Sequence, residues 1–182
     1  MSIKTAIFAA LKQNLIPGLI LQLFAASIFV IYFFVPASKP VFSWFGLLKQ
    51  EYGFAYSFIA TAIFGGLIPF LYLWLSKSLA PNRSILGLLV FYISFWGLKG
   101  MEVDFFYRLQ AGWFGMENDI KTIATKMAVD QFFYSALWAA PGITIVYLWM
   151  ESNWSIAECK QAMDRKFFYV KIPTVILSNW LV

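Results

Sequence analysis

Residues 52–76 read YGFAYSFIATAIFGGLIPFLYLWLS, a run bounded by Glu51 and Lys77 that contains no charged side chain. At about 1.5 Å per residue, a helix of that length crosses the roughly 30 Å hydrocarbon core of a bilayer. Two further gaps of at least 20 residues behave alike, one between Lys12 and Lys39 and one between Asp130 and Glu151. Shorter uncharged gaps run from Arg83 to Lys99 and from Lys171 to Val182. The last is too short to cross, and a final span cut before its completion is the expectation there.

The composition agrees with this reading. Of 182 residues, 61% are apolar and only 13% charged, whereas a soluble domain carries about a quarter of its residues charged. The expected fold is all-α, a polytopic transmembrane helical bundle of four to five spans with interfacial aromatic segments. It forms one helical membrane domain over 1–182, with spans at 15–35, 54–75, 85–99 and 130–150 and a partial span at 172–182. Residues 1–14, with Lys4 and Lys12 around Ile3, Ile7, Phe8 and Leu11, suit a short helix lying on the membrane surface. The loop 36–53 and the segment 102–115, rich in aromatic rings, suit the headgroup region.

Several function classes drop out. The 14 basic residues stand singly at span edges and form no run that would track phosphates, so nucleic acid is not an expected partner despite a net charge of +5. The chain has no histidine and a single cysteine, Cys159, which removes the intrachain disulfide and the commonest metal ligand and general base. No metal, no cofactor and no catalytic residue is expected, and the chain is not read as an enzyme. An embedded enzyme would have to work with Lys99, Glu102, Asp104 and Asp130 alone.

Few polar groups interrupt the spans, and each has a packing alternative. Gln22 lies within the first span, either facing another helix or lining a pore. Ser57, Thr61, Gly65 and Pro69 recur every four residues, a small-residue ridge that admits a close neighbour; Ala136, Ala140 and Thr144 form a second such stripe. Pro69 and Pro141 predict kinks, as packing features or as hinges. Asp130, four residues after Lys126, opens the 130–150 span, where the helix dipole favours a carboxylate; it is a cap or a pore-mouth group, with Gln131 beside it.

The stretch from Lys99 to Arg108 is ambiguous. Lys99 to Glu102 and Asp104 to Arg108 would each pair along a helix. An unbroken helix would point the two pairs to nearly opposite faces and set one against lipid. The span is therefore expected to end near Lys99, with an intramembrane charge network of Lys99, Glu102, Asp104 and Arg108 as the alternative. Counted by side, the N-terminus, the 76–84 turn and the 151–171 loop hold eight of the Lys and Arg residues. That bias places the N-terminus on the cytoplasmic or matrix side.

Lys126-Met127-Ala128-Val129-Asp130-Gln131, then Pro141, Asn153-Trp154, Pro173 and Asn179-Trp180, occur in an order that resembles the Mpv17/PMP22 family of mitochondrial and peroxisomal membrane proteins. Upstream, Gly66, Pro69, Trp74 and Pro81 are similar to the same family's second-span pattern. The chain departs from the family in carrying an additional span between the two blocks, and in Ile172 and Ile176. The resemblance implies a small pore or channel component for small solutes, often self-associating. Its expected partners are the lipid bilayer, small solutes and further copies of itself. A structural or partner-binding membrane protein is the alternative.

Overall fold

The structure, a computed structural model, describes residues 3–79 and 84–181. All regular elements among these residues are helical. They are α1 (Ile3–Phe34), a 3-10 turn (Pro36–Ser38), α2 (Lys39–Thr61), α3 (Ile68–Leu75), α4 (Ile85–Phe114), α5 (Ile120–Ala128), α6 (Ala140–Glu151), α7 (Ile156–Ala162) and α8 (Ile172–Leu181). Wide-turned π-helical segments, Ala62–Leu67, Val129–Ala139 and Phe167–Lys171, run directly into α3, α6 and α8.

Three described stretches are long and apolar enough to cross a membrane: Pro36–Leu75, Ile85–Phe114 and Ile120–Glu151. Gly18–Phe34 and Phe167–Leu177 are shorter apolar helices. Large apolar side chains point outward along these helices; Phe64 is 72% exposed and Leu137 68%. Stripped of a bilayer, such surface would drive aggregation, so these are the dimensions and the surface of an integral membrane protein.

The chain forms two compact units, Tyr32–Met116 and Met1–Ile31 with Glu117–Val182. In the first, α2, its π segment and α3 pack antiparallel against α4. The register is visible in the contacts: Gly66 lies on Tyr92, Gly65 on Trp96, Thr61 on Gly100 and Ser57 on Asp104, one number rising as the other falls. Gly100 is the closest approach. A Cβ there would collide with the Thr61 hydroxyl and the Ser57 carbonyl, so only glycine lets the backbones meet. The ridge of Ser57, Thr61 and Gly65 is thus a face covered by α4.

Segment 36–53 is helical from Lys39 onward, not a loop. The spanning helix is set off from it by a break at Gly53, whose φ of 50° and ψ of −117° suit glycine. The third span also differs from expectation. It continues past Lys99 through 102–115 as one helix, opened by Ser84, whose Oγ accepts the Gly87 amide at 3.1 Å, and closed at Gly115 with φ 87°. The reason is electrostatic: the charge at Asp104 does not meet lipid, because a lysine from α2 reaches it.

In the other unit, α8 packs against α6 and the π segment before it, and α7 folds back on α6. Leu148, Cys159 and Phe167 form its buried centre, with Ile145, Trp149, Met163 and Ile172 around them. The stripe Ala136, Ala140 and Thr144 is buried. At Pro69, Pro141 and Pro173 the helices are continuous, and each π segment ends two residues before the proline.

Candidate functional site

Within the Tyr32–Met116 unit, one carboxylate gathers three partners. Asp104 is only 10% exposed, and Lys49 Nζ lies 2.6 Å from its Oδ2. Ser57 Oγ donates to the same oxygen at 3.0 Å, while Lys49 also bonds Ser57 Oγ. Arg108 approaches from the next turn of α4, Nε at 3.3 Å from Oδ1 and Nη2 at 3.4 Å from Oδ2. Its guanidinium also lies over the Phe54 ring, 4.5 Å from the centroid.

The break at Gly53 is what assembles the cluster. Residues eight apart on a straight helix are separated by about 12 Å along its axis. Lys49 nonetheless reaches Ser57, because the chain turns between them and the Gly53 carbonyl, 3.5 Å from Lys49 Nζ, faces the ammonium. A side chain at Gly53 would be strained by the positive φ and would press on Arg108 Nη2.

The cluster's charges do not cancel. Lys49 and Arg108 bring two positive charges to the one negative charge of Asp104, leaving an excess cation in a predominantly apolar helix pair. Arg108 is 53% exposed, so guanidinium N–H groups not engaged by Asp104 remain accessible. The arrangement suits holding or attracting an anion. Lys99 and Glu102 pair with one another one turn away on α4.

The remaining candidate residues are dispersed. Asp130 lies in the Val129–Ala139 π segment, half-buried, and no ion pair joins it to Lys126. The helix widens at Val129, so α-helical i,i+4 geometry does not carry across the pair. Gln131 is exposed, as is Gln22 on α1. Pro69, Pro141 and Pro173 each stand at the second position of the α-helix that follows a π segment. Trp74 is half-exposed on α3. Asn153 and Trp154 form the turn after α6, both with positive φ, 52° and 63°. Trp149 Nε1 donates to the Trp154 carbonyl at 2.8 Å and fixes that turn. Pro81 and the side chains of Asn179 and Trp180 lie outside the described residues.

Asp104 and Arg108 are therefore brought together with Lys49 and Ser57, two partners the local sequence reading did not supply. Lys49 was hidden in an apparent loop and Ser57 in a packing ridge. The signal available was the register itself, since pairing Thr61 with Gly100 sets Ser57 beside Asp104. Among the described residues no three Cys, Asp or Glu side chains converge as a metal ligand set. Comparison with protein-family models, curated proteins and solved structures finds no match.

Proposed function

We propose that the protein is a component of a membrane pore for small solutes, as its resemblance to the Mpv17/PMP22 family implies, and that it favours anions. The observation that supports this is the excess positive charge at Lys49, Asp104 and Arg108 within two membrane-length helices. Intramembrane ionisable groups are costly and mark solute paths where they are kept. In this reading the shorter apolar helices Gly18–Phe34 and Phe167–Leu177 complete four to five spans, and the N-terminus faces the cytoplasm or matrix. The membrane is the bacterial cytoplasmic one, or in a eukaryote the mitochondrial inner or peroxisomal one.

The glycine contacts leave no channel between α2 and α4, so the path runs elsewhere, and we place it between copies in a homo-oligomer. The test is flux through the purified full chain in liposomes, with small anions, cations and neutral solutes compared. Anion flux above empty vesicles, reduced in Lys49→Gln and Arg108→Gln, is the expected result. Flux indistinguishable from empty vesicles would overturn the proposal.

One observation favours a second reading. Asp104 is enclosed by Ser57, Lys49 and Arg108 one turn from Gly100, where the backbones meet, as a clamp between α2 and α4 would be. A structural or partner-binding protein needs no more than that. Absence of flux from an inserted, folded chain would select it.

A further inference from the structure

The last turns of α6 and the short helix α7 enclose a groove of about 310 Å³, at the lower edge of the roughly 300–1,000 Å³ usual for ligand sites. Ile145, Val146 and Trp149 form one wall, Ile156 and Met163 the other, with Cys159 and Lys160 between them on α7. The groove lies wholly within the second unit, directly over the buried Leu148, Cys159 and Phe167.

α7 is shaped to face it. Ser155 caps the helix by accepting the Glu158 amide at 3.2 Å, the two residues having capping-box spacing. From there Ile156, Cys159, Lys160 and Met163 follow at i, i+3, i+4 and i+7, a single helix face. Lys160 thus occupies an apolar position of the stripe. Its stem lines the groove, the residue is exposed, and no carboxylate pairs with it among the described residues. A long cationic side chain so placed covers apolar surface with its methylenes and carries its ammonium to the rim.

We propose that this groove binds one anionic phospholipid of the surrounding bilayer, an acyl chain lying against Ile145, Val146 and Trp149 and the phosphate meeting Lys160. Depth and charge both support that occupant. The groove sits at the end of the membrane-length stretch Ile120–Glu151, where hydrocarbon gives way to headgroups. Its one polar contribution is a cation, complementary to phosphate and to net negative charge.

The experiment titrates delipidated full-length protein in detergent with phosphatidylglycerol or phosphatidylcholine and counts bound lipid by native mass spectrometry. One lysine near a headgroup is expected to favour the anionic lipid about fivefold. Lys160→Gln should abolish that preference. Ile156→Trp, at an exposed position where a larger ring fills the groove, should weaken both lipids. Circular dichroism of both variants should match the parent, since neither site is buried. Equal affinity for the two lipids in the parent chain overturns the proposal. So does a preference that survives Lys160→Gln, or a dimer that closes this face and excludes lipid.

Discussion

The Asp104 cluster makes an asymmetric prediction about stability. Asp104→Asn removes the only anion between two cations and leaves Lys49 and Arg108 facing each other across a nearly buried amide. Breaking a fully buried pair this way costs about 3–5 kcal/mol. Lys49 and Arg108 are 35% and 53% exposed and can turn toward water or headgroups, which lowers the expectation to about 2 kcal/mol. Lys49→Met leaves Asp104 with Arg108 and Ser57, so its cost should be smaller, about 1 kcal/mol. In the double variant the repulsion is gone along with the carboxylate, and its stability should lie nearer to Lys49→Met than to the sum of the single changes. Reversible unfolding in mixed micelles, followed by circular dichroism, measures all four proteins. Lys49→Met costing as much as Asp104→Asn, or strict additivity in the double variant, would refute the clamp geometry.

Two other outcomes are expected. Gly100→Val should destabilise the α2–α4 pair by about 1–3 kcal/mol through overpacking against Thr61 and Ser57. Gly112→Ala, on the same helix with open space around its Cβ, should be neutral or stabilise by about 0.5–1 kcal/mol; the same unfolding assay checks both. At the start of α5, hydrogen bonds from the Thr122 side chain and amide hold the Asp119 carboxyl below the usual carboxylate range. Because the folded state binds its proton less readily, the cap's contribution is present at neutral pH and disappears as acid titrates through that depressed range. A carbon-13 titration of Asp119 should give a midpoint below that of the unfolded chain, shifting back in Thr122→Ala; a midpoint at or above the unfolded value would contradict the cap.

The helices were legible because charge avoidance over 20 residues is a local property. The gap from Glu51 to Lys77 ends at its N-terminal side within two residues of the observed break at Gly53. The packing face of α2 was equally plain, since Ser57, Thr61 and Gly65 share one helix side whatever lies opposite. The end of α4 was not legible. Whether a helix carries Asp104 into apolar surroundings depends on a countercharge, and Lys49 lies far upstream in a stretch that reads as loop. That Lys126 and Asp130, four residues apart, do not pair was hidden for a related reason: i,i+4 reasoning presumes α-helical turns, and nothing local announces that they widen at Val129.

The prolines explain where the widening falls. An interior proline lacks the amide that would bond the carbonyl four residues back, and its ring crowds that same carbonyl. In all three cases the residue just before the proline, Ile68, Ala140 or Ile172, donates its amide five residues back, to Ile63, Ser135 or Phe167. A wider turn moves the crowded carbonyl out of the ring's path, so the strain is spread over the preceding turns and the helix passes through without a break. Proline itself still offers no amide, and in membrane helices neighbouring groups commonly satisfy the carbonyl this frees. Beside one of these places stands Thr174, which follows Pro173 and whose buried Oγ1 has no hydrogen-bond partner. The kinks expected at Pro69 and Pro141 thus fall where a continuous, wide-turned segment runs into an α-helix.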